Sequence, residues 1–346
     1  MNGYGDLGTW VPAKKGAAVA GTFQTIVACN GCPRTHHASS WEYPAFLQTW
    51  VDDGSTLRVT KNVSIAFSGY PASFSSKTAK CANGLCGFSS PSQNIIRTAD
   101  DNLLLAMYGH AADGFPGNGT MYTTAYFSSK SGVAWHYASR IDVTKGVPMA
   151  KSGEEGPCEP AMTTLADGRV LTALRHASGA ALWMAYSSSN GRSWTTPQTM
   201  KGVSAEGKPM TVFAVWPQLN VLSNGALVLS SGRPGLGFWI SSPKPDGEAW
   251  VGYDVEKEHD RLAPTDPFDS GSGTTSYTRQ TGTHGSTTSY TGLAEAEPGV
   301  VLLAYDKTGA VGDIQRVYSM RIDVRAKSDD ADLHFDAASP HRAVEH

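Results

Sequence analysis

The segment EPAMTTLADGRVLTALRH, residues 159–176, contains the most informative pattern in this chain. It joins two apolar runs through an Asp-Gly pair, and this pattern is typical of a β-hairpin whose turn needs a residue that tolerates positive φ. The pattern recurs at residues 42–59, 92–110, 216–233 and 290–306. The five turn positions are Gly54, Asn102, Gly168, Gly225 and Gly299. Their repetition predicts an all-β chain built from similar units.

A second motif, rich in Ser, Gly and Trp, follows three of these hairpins. It reads SSKSGVAW at 128–135, SSSNGRSW at 187–194 and SSPKPDGEAW at 241–250. Two consecutive hairpins make a four-stranded antiparallel blade, and repeated blades close radially into a β-propeller. At about 60 residues per blade, the 346 residues predict six blades in a single domain, residues 1–346. The blades are recognisable from about 90 to 325, and the first ones are unclear.

Composition excludes several classes of protein. The chain has 28 Lys and Arg against 31 Asp and Glu, a net charge of -3, and no basic run. Because neutralising phosphates requires clustered cations, we expect no nucleic-acid partner. We also expect no membrane span and no signal peptide in this chain, because it lacks a long apolar stretch and a cationic start followed by an apolar run.

The cysteines and two sequons favour an extracellular protein. Cys29 with Cys32 and Cys81 with Cys86 have the spacing of two local disulfides, with free thiols as the alternative, and Cys158 is left over. The sequons begin at Asn62 and Asn118, in polar stretches that read as loops. We therefore expect an extracellular or secretory protein whose signal peptide has been removed.

The Ser/Gly/Trp turns resemble the Asp-box of the sialidase superfamily, with Lys130 and Ser189 where the Asp would stand. GPCEPAMTTLADGRVLTALRH (156–176) looks like the sialidase blade with a Glu-Pro start and a closing Arg. LVLSSGRPGLGFWISS (227–242) and TTSYTGLAEAEPGVVLLAYD (287–306) resemble the blades with another Arg and the nucleophilic Tyr. The resemblance covers roughly residues 90 to 325. It assigns the functional positions to Glu159, Arg175, Arg233 and Tyr290.

The spacing of these residues agrees with one shared pocket. Glu159 and Tyr290 each lie nine residues before a turn glycine, Gly168 and Gly299, and Arg175 lies seven after Gly168. We expect all of them at one mouth of the propeller channel, together with Arg233.

The resemblance implies a retaining exo-glycosidase that releases a terminal acidic sugar, either sialic acid or a related nonulosonic acid. Tyr290 would be the nucleophile, Glu159 would activate it, and Arg175 and Arg233 would bind the sugar carboxylate. A carboxylate nucleophile would be repelled by that anion, whereas a phenol is not. No cofactor or metal is implied, and the partner is a glycan or glycoconjugate with an acidic terminal sugar.

The chain departs from the sialidase pattern in its first blades. The F-R-I-P stretch that supplies a third arginine is absent. Arg34, Arg58 and Arg97 are candidate substitutes, and each also fits a surface role. Asp113, after the hairpin at 92–110, is the candidate acid/base, with a solvated loop residue as the alternative.

Other polar residues bear on the choice of substrate. Gln93 and His110 are further candidates for substrate binding, and His176 also ends a strand on the expected pocket side. Asp52 and Asp53 fit a hairpin turn better than catalysis. Two alternatives stay open: an enzyme acting on another acidic sugar, such as a uronic acid, and a non-catalytic propeller that binds glycans or protein.

Overall fold

The computed structural model describes most of the chain, and its described residues fall into two compact units. The described residues are 8–11, 22–28, 45–53, 55–70, 88–91, 95–109, 122–141, 156–177, 180–205, 207–212, 215–233, 235–241, 250–268, 287–308, 314–326 and 333–343. Unit one comprises Met1–Thr164, Gly168–Thr172 and Ala185–Pro197. Unit two comprises Leu165–Asp167, Ala173–Met184 and Gln198–His346.

The described strands form five sheets that follow one another along the chain. The first sheet has the order β1-β2-β3-β4, with β1 Gly8–Val11, β2 Thr22–Ala28, β3 Ala45–Asp52 and β4 Leu57–Ser64. The second has the order β5-β10-β9-β8-β6, with β7 also paired to β8. Its strands are β5 Ala66–Ser68, β6 Phe88–Pro91, β7 Ile96–Arg97, β8 Leu103–Gly109, β9 Thr123–Ser129 and β10 Ala134–Ile141.

The remaining sheets continue the same sequential pattern. The third has the order β11-β12-β13-β14, with β11 Cys158–Thr164, β12 Val170–Arg175, β13 Trp183–Ser187 and β14 Gln198–Thr199. The fourth has the order β16-β15-β20-β19-β18-β17, with β15 Lys201–Ser204, β16 Pro209–Thr211, β17 Val215–Val221, β18 Leu227–Gly232, β19 Leu236–Ser241 and β20 Trp250–Asp254. The fifth has the order β21-β22-β23-β24, with β21 Thr291–Glu297, β22 Val300–Thr308, β23 Ile314–Ala326 and β24 Leu333–Ala343.

Two of the five sheets differ from the predicted four-stranded antiparallel blade. The second and fourth sheets have six strands each. In each of them a short strand adds to the outer edge in parallel: β5 pairs with β10, and β15 pairs with β20. The added strands cover edges that would otherwise present unpaired backbone groups. Closure of six blades stays a prediction, as does a single domain over residues 1–346.

The hairpin turns form where glycine permits positive φ. Gly168, Gly225 and Gly299 have φ of 84°, 86° and 76°. In the hairpin between β7 and β8 the left-handed residue is Asp101, with φ 61°, and not the predicted Asn102. Asp carries a short polar side chain and adopts this region more readily than most residues. Gly54 lies outside the described residues.

The first two Ser/Gly/Trp turns are held by internal hydrogen bonds. Ser129 Oγ accepts a hydrogen bond from the Gly132 N–H (2.9 Å), and the Trp135 Nε1–H donates to the Gly132 carbonyl (2.8 Å). In the second copy, Ser187 Oγ accepts from the Gly191 N–H at 2.8 Å. Trp135 is fully buried, so it fills the core rather than a site.

Each unit has its own apolar core. The core of unit one contains Leu47, Ile65, Phe67, Ile95, Leu103, Leu105, Met107, Ala125, Phe127 and Trp135. The core of unit two contains Leu222, Ala226, Val228, Leu236, Phe238, Ile240, Val255, Phe268, Val301, Leu303, Tyr305, Tyr318, Met320, Ile322 and Val324. Most of these residues lie on strands, and their burial supplies the main driving force for packing the sheets.

The described residues lie mostly in strands, as the sequence predicts, and they include one helix. Helix α1, Val255–Leu262, follows β20 directly. Asp254 caps it by accepting a hydrogen bond from the Lys257 N–H at 3.0 Å, and Glu256 and Glu258 in its first turn complement the helix dipole. The cap and the acidic first turn explain a helix in a chain otherwise built from strands. No helix among the described residues is long and apolar enough to cross a membrane.

The helix is anchored to the fifth sheet by a buried polar cluster. His259 Nδ1 lies 2.8 Å from the Tyr305 hydroxyl, and its Nε2 lies 3.0 Å from the Asp266 carbonyl. The Lys307 ammonium donates to the Asp266 carboxylate (2.6 Å) and to the Pro267 carbonyl (2.6 Å). Burial lowers the pKa of His259, which favours its neutral form.

The cysteine and sequon predictions fall largely outside the described residues. Both predicted disulfides lie there, as does Asn118. Cys158 is 1% exposed and its thiol is not part of a disulfide. Asn62 is exposed on strand β4, and not in a loop as the polar sequence suggests.

Candidate active site

Tyr290 lies directly before strand β21, in a turn of unusual backbone geometry. The preceding residue, Ser289, has φ 69° and is 2% exposed. Its N–H donates to Thr287 Oγ1 at 2.9 Å. The Tyr290 side chain is half-buried. A residue other than glycine in the left-handed region indicates a turn held in place by its surroundings.

The Asp306 carboxylate holds this turn. Its Oδ1 accepts from the hydroxyls of Thr287 (3.1 Å) and Thr288 (2.7 Å), and its Oδ2 accepts from the Thr288 N–H (3.0 Å). Asp306 is 7% exposed, near the end of β22. Burial raises its pKa, against hydrogen bonds that lower it. Asp306 was not singled out from the sequence, because its partners are separated from it by 18 and 19 residues.

Arg233 contacts the same turn from the neighbouring sheet. It follows β18, is 6% exposed and has φ 61°. Its Nη2 donates to the Thr288 carbonyl at 3.2 Å, and its N–H donates to the Gly235 carbonyl at 3.0 Å. The predicted arginine therefore lies beside the turn that carries the predicted tyrosine.

Gly232 permits this close approach. A Cβ at this position would lie 2.4 Å from Ser289 Cβ and 2.6 Å from the Ser289 carbonyl oxygen. Any side chain here would overlap with the backbone of the Tyr290 turn, so glycine is required sterically.

Trp216 is a neighbour of Tyr290 that the sequence interpretation missed. The ring centroids of Trp216 and Tyr290 are 5.3 Å apart, and the ring planes are inclined by 54°. Trp216 lies nine residues before Gly225, the same position that Glu159 and Tyr290 occupy in their hairpins. Extending that spacing rule to this hairpin would have found it.

Arg175 is the last residue of β12 and also belongs to unit two. It is 6% exposed. The next residue, His176, is 3% exposed and stacks on Trp183 with 3.7 Å between ring centroids. Arg175 and Arg233 are both buried, so unit two contains a pair of guanidinium groups that are shielded from solvent. Guanidinium groups suit bidentate binding of a carboxylate.

Glu159 is the second residue of β11 and belongs to unit one. It is 5% exposed and has φ 42°, so it is another strained residue at a strand start. The hydroxyl of Thr124 donates to the Pro157 carbonyl at 2.9 Å and fixes the chain just before it. The distance between the Glu159 and Tyr290 side chains stays a prediction.

The other predicted residues separate into two groups. Asp113, Gln93, His110 and Arg34 lie outside the described residues. Arg58 is exposed on β4. Arg97 donates to the Asp101 carbonyl (3.0 Å) and carboxylate (3.2 Å), which gives it a role in the hairpin turn.

Asp53 has the predicted turn role. It accepts hydrogen bonds from the Ser55 and Thr56 N–H groups at 3.0 and 2.8 Å. In the part of the chain that the structure describes, no three His, Cys, Asp or Glu side chains gather into a metal-binding group.

Comparison with known proteins gives structural likeness only. No family model matches the chain, and no curated protein matches it. A protein of unknown function from Dyadobacter fermentans matches 92% of this chain and 76% of its own, with TM-score 0.59 and 14% identity. The Hadza microbial sialidase Hz136 matches 89% of this chain with TM-score 0.50 and 15% identity. This chain covers 51% of that sialidase, about half of its length.

An enzyme of a different class has a similar fold. A GH43_1 enzyme from Xanthomonas citri matches 95% of this chain and 90% of its own, with TM-score 0.50 and 10% identity. At such low identities the likeness establishes the fold and not the reaction. The chain therefore has a fold similar to those of propeller-type glycosidases, and the reaction has to be argued from the site.

Proposed function

We propose that this protein is a retaining exo-glycoside hydrolase of the sialidase superfamily. It would release a terminal acidic sugar, sialic acid or a related nonulosonic acid, from glycans outside the cell. One observation carries the proposal: within unit two, the buried Arg233 guanidinium donates to the carbonyl of Thr288, two residues before Tyr290. A guanidinium group is thus held against the turn that carries the half-buried Tyr290.

The choice of groups fits an acidic sugar. Sialic acid and related nonulosonic acids carry a carboxylate on the anomeric carbon, and a buried guanidinium can bind it through charge-assisted hydrogen bonds. A phenol can approach that carbon without the repulsion that a carboxylate nucleophile would meet. A tyrosine nucleophile is a known exception to the two-carboxylate rule of glycosidases.

The reaction needs two steps with retention of configuration. The Tyr290 oxygen forms a bond to the anomeric carbon while its proton passes to Glu159, and the bond to the leaving oxygen breaks as Asp113 protonates that oxygen. Water then attacks the anomeric carbon and gives its proton to Asp113. The Tyr290 oxygen leaves and takes its proton back from Glu159. This scheme requires the Glu159 carboxylate to lie within hydrogen-bond reach of the Tyr290 hydroxyl. Closure of six blades, which would place the two side chains together, is part of the proposal.

Two alternatives keep the same site. The sequence lacks the F-R-I-P arginine, which favours either a different acidic sugar, such as a uronic acid, or a glycan-binding protein without activity. Both would still use Arg175 and Arg233 to bind an anion.

A glycan-release screen separates these possibilities. The purified chain is incubated with sialosides, uronosides and neutral glycosides, and free sugar is quantified. We expect release from sialosides, and a loss of release by orders of magnitude in Tyr290→Phe, because that variant lacks only the nucleophilic hydroxyl. Release from uronosides alone would redirect the proposal to that substrate. Binding without any release would identify a lectin-like protein.

A further inference from the structure

Trp216 occupies one of three equivalent positions in the hairpins of this chain. Glu159, Trp216 and Tyr290 each lie nine residues before a turn glycine with positive φ. The proposed function gives roles to the first and the third. The second therefore stands at the hairpin position to which the proposed function assigns its catalytic Glu and Tyr.

The backbone at Trp216 is strained. Its φ is 47°, which is rare for a bulky residue. The register between β17 and β18 shifts between Val215 and Gln218, so the strand has a bulge at this point. Bulges re-aim side chains and occur often beside active sites. Strained residues persist where their neighbours over-determine them, and they cluster at ligand sites.

Trp216 also differs from the core tryptophans in exposure. Trp135, Trp239 and Trp250 are fully buried, whereas Trp216 is half-buried. Its ring lies against the half-buried ring of Tyr290, at 5.3 Å between centroids. Part of this aromatic pair is therefore accessible to a ligand.

An anion-binding residue lies at the same end of the hairpin. Val215 pairs with Gly232, so Trp216 and Arg233 flank the open end of the β17–β18 hairpin. Strand β21, which follows Tyr290, packs against both strands of that hairpin. One end of unit two thus presents an indole, a phenol and a guanidinium.

We propose that the Trp216 indole binds the C–H face of the acidic sugar ring that occupies the site beside Tyr290. This inference rests on the proposed function and names the recognition element for its substrate class. A pyranose ring has an apolar face that packs on an aromatic ring, and its carboxylate is directed to Arg233. The site then selects cyclic acidic sugars over acyclic sugar acids.

Binding to the Tyr290→Phe variant tests this inference without turnover. Affinities for 3′-sialyllactose and for acyclic D-gluconate are measured by calorimetry. Adding Trp216→Ala should weaken sialyllactose binding about tenfold and leave gluconate binding unchanged, while Trp216→Phe should retain most of the affinity. Sialyllactose should also change the intrinsic fluorescence, and Trp216→Phe should remove that change. Trp194→Phe, at a half-buried tryptophan of unit one, is the matched control and should keep it.

The outcomes separate this inference from the proposed function. If sialosides are hydrolysed but Trp216→Ala binds sialyllactose as tightly as its parent, the inference is wrong and the function stands. If sialyllactose binding depends on Trp216 but nothing is hydrolysed, the inference stands and the enzymatic proposal is wrong. No binding of sialyllactose to the folded Tyr290→Phe protein overturns the inference. If Trp216→Ala does not fold, the Trp216→Phe fluorescence result decides.

Discussion

Asp306 offers a direct test of how the Tyr290 turn is held, through replacement by alanine. Its carboxylate accepts three hydrogen bonds, from the Thr287 hydroxyl and from the hydroxyl and N–H of Thr288. Thr287 is 5% exposed, so its hydroxyl would lose its acceptor with little access to water. Thr288 is half-exposed, and water can replace part of its bonds. Because a buried donor without an acceptor costs about 1–3 kcal/mol, we expect Asp306→Ala to lower the free energy of unfolding by about 2–4 kcal/mol.

Asp306→Asn is the matched control. Its amide oxygen can still accept from both threonine hydroxyls, and only the bond from the Thr288 N–H is lost. Removing the buried charge also relieves a desolvation cost, so the expected loss is about 1 kcal/mol or less.

The pH dependence provides a second readout of Asp306. Burial raises its pKa above the ordinary 3.8. Between pH 3.8 and the raised value the folded state therefore binds more protons than the unfolded state, and stability falls as the pH rises through this window. Asp306→Asn should abolish this contribution.

Urea unfolding followed by circular dichroism measures the stabilities, and hydrogen exchange reports on the amides of Thr288 and Ser289. We expect faster exchange of both amides in Asp306→Ala. Equal stability of Asp306→Ala and the wild type, with unchanged exchange, would refute the role given to this carboxylate.

Three further predictions concern other parts of the chain. Gly232→Ala should lower the free energy of unfolding by about 1–3 kcal/mol and reduce any turnover, because the added Cβ would overlap with Ser289. Gly292→Ala is the control and should be tolerated, because the nearest atom to its added Cβ lies at 3.6 Å. Thermal unfolding compares the two variants. Burial lowers the pKa of His259 from its ordinary 6.5, so the unfolded state binds more protons as the pH falls through that value. The free energy of unfolding should therefore fall on acidification, and it should fall less in His259→Gln. Thiol titration of the denatured, unreduced protein should find one group, Cys158, and finding five would show that the predicted disulfides are absent.

The hairpins could be predicted from sequence because their determinants are local. A turn glycine between two apolar runs specifies both the turn and the strand pairing, and Gly168, Gly225 and Gly299 indeed have positive φ. The positions of Arg175 at the end of β12 and of Arg233 directly after β18 follow from the same pattern.

The turn that carries Tyr290 could not be predicted, because its determinants are not local. Asp306 and Gly232 act on residues 287–289 from other strands, and no spacing rule relates them. Helix α1 had a readable signal, an Asp254 cap followed by acidic residues, but the strength of the strand pattern obscured it. Trp216 obeys the nine-residue spacing and was missed because a tryptophan at a strand start reads as core.

Covalent labelling tests whether Tyr290 is a glycosidase nucleophile activated by Glu159. A fluorinated sialosyl donor slows breakdown of the covalent intermediate, and mass spectrometry after digestion locates the added mass. We predict the mass on the peptide that contains Tyr290, strongly reduced labelling in Glu159→Gln, and none in Tyr290→Phe. A label on another residue, or no label on a protein that hydrolyses sialosides, would show that Tyr290 is not the nucleophile.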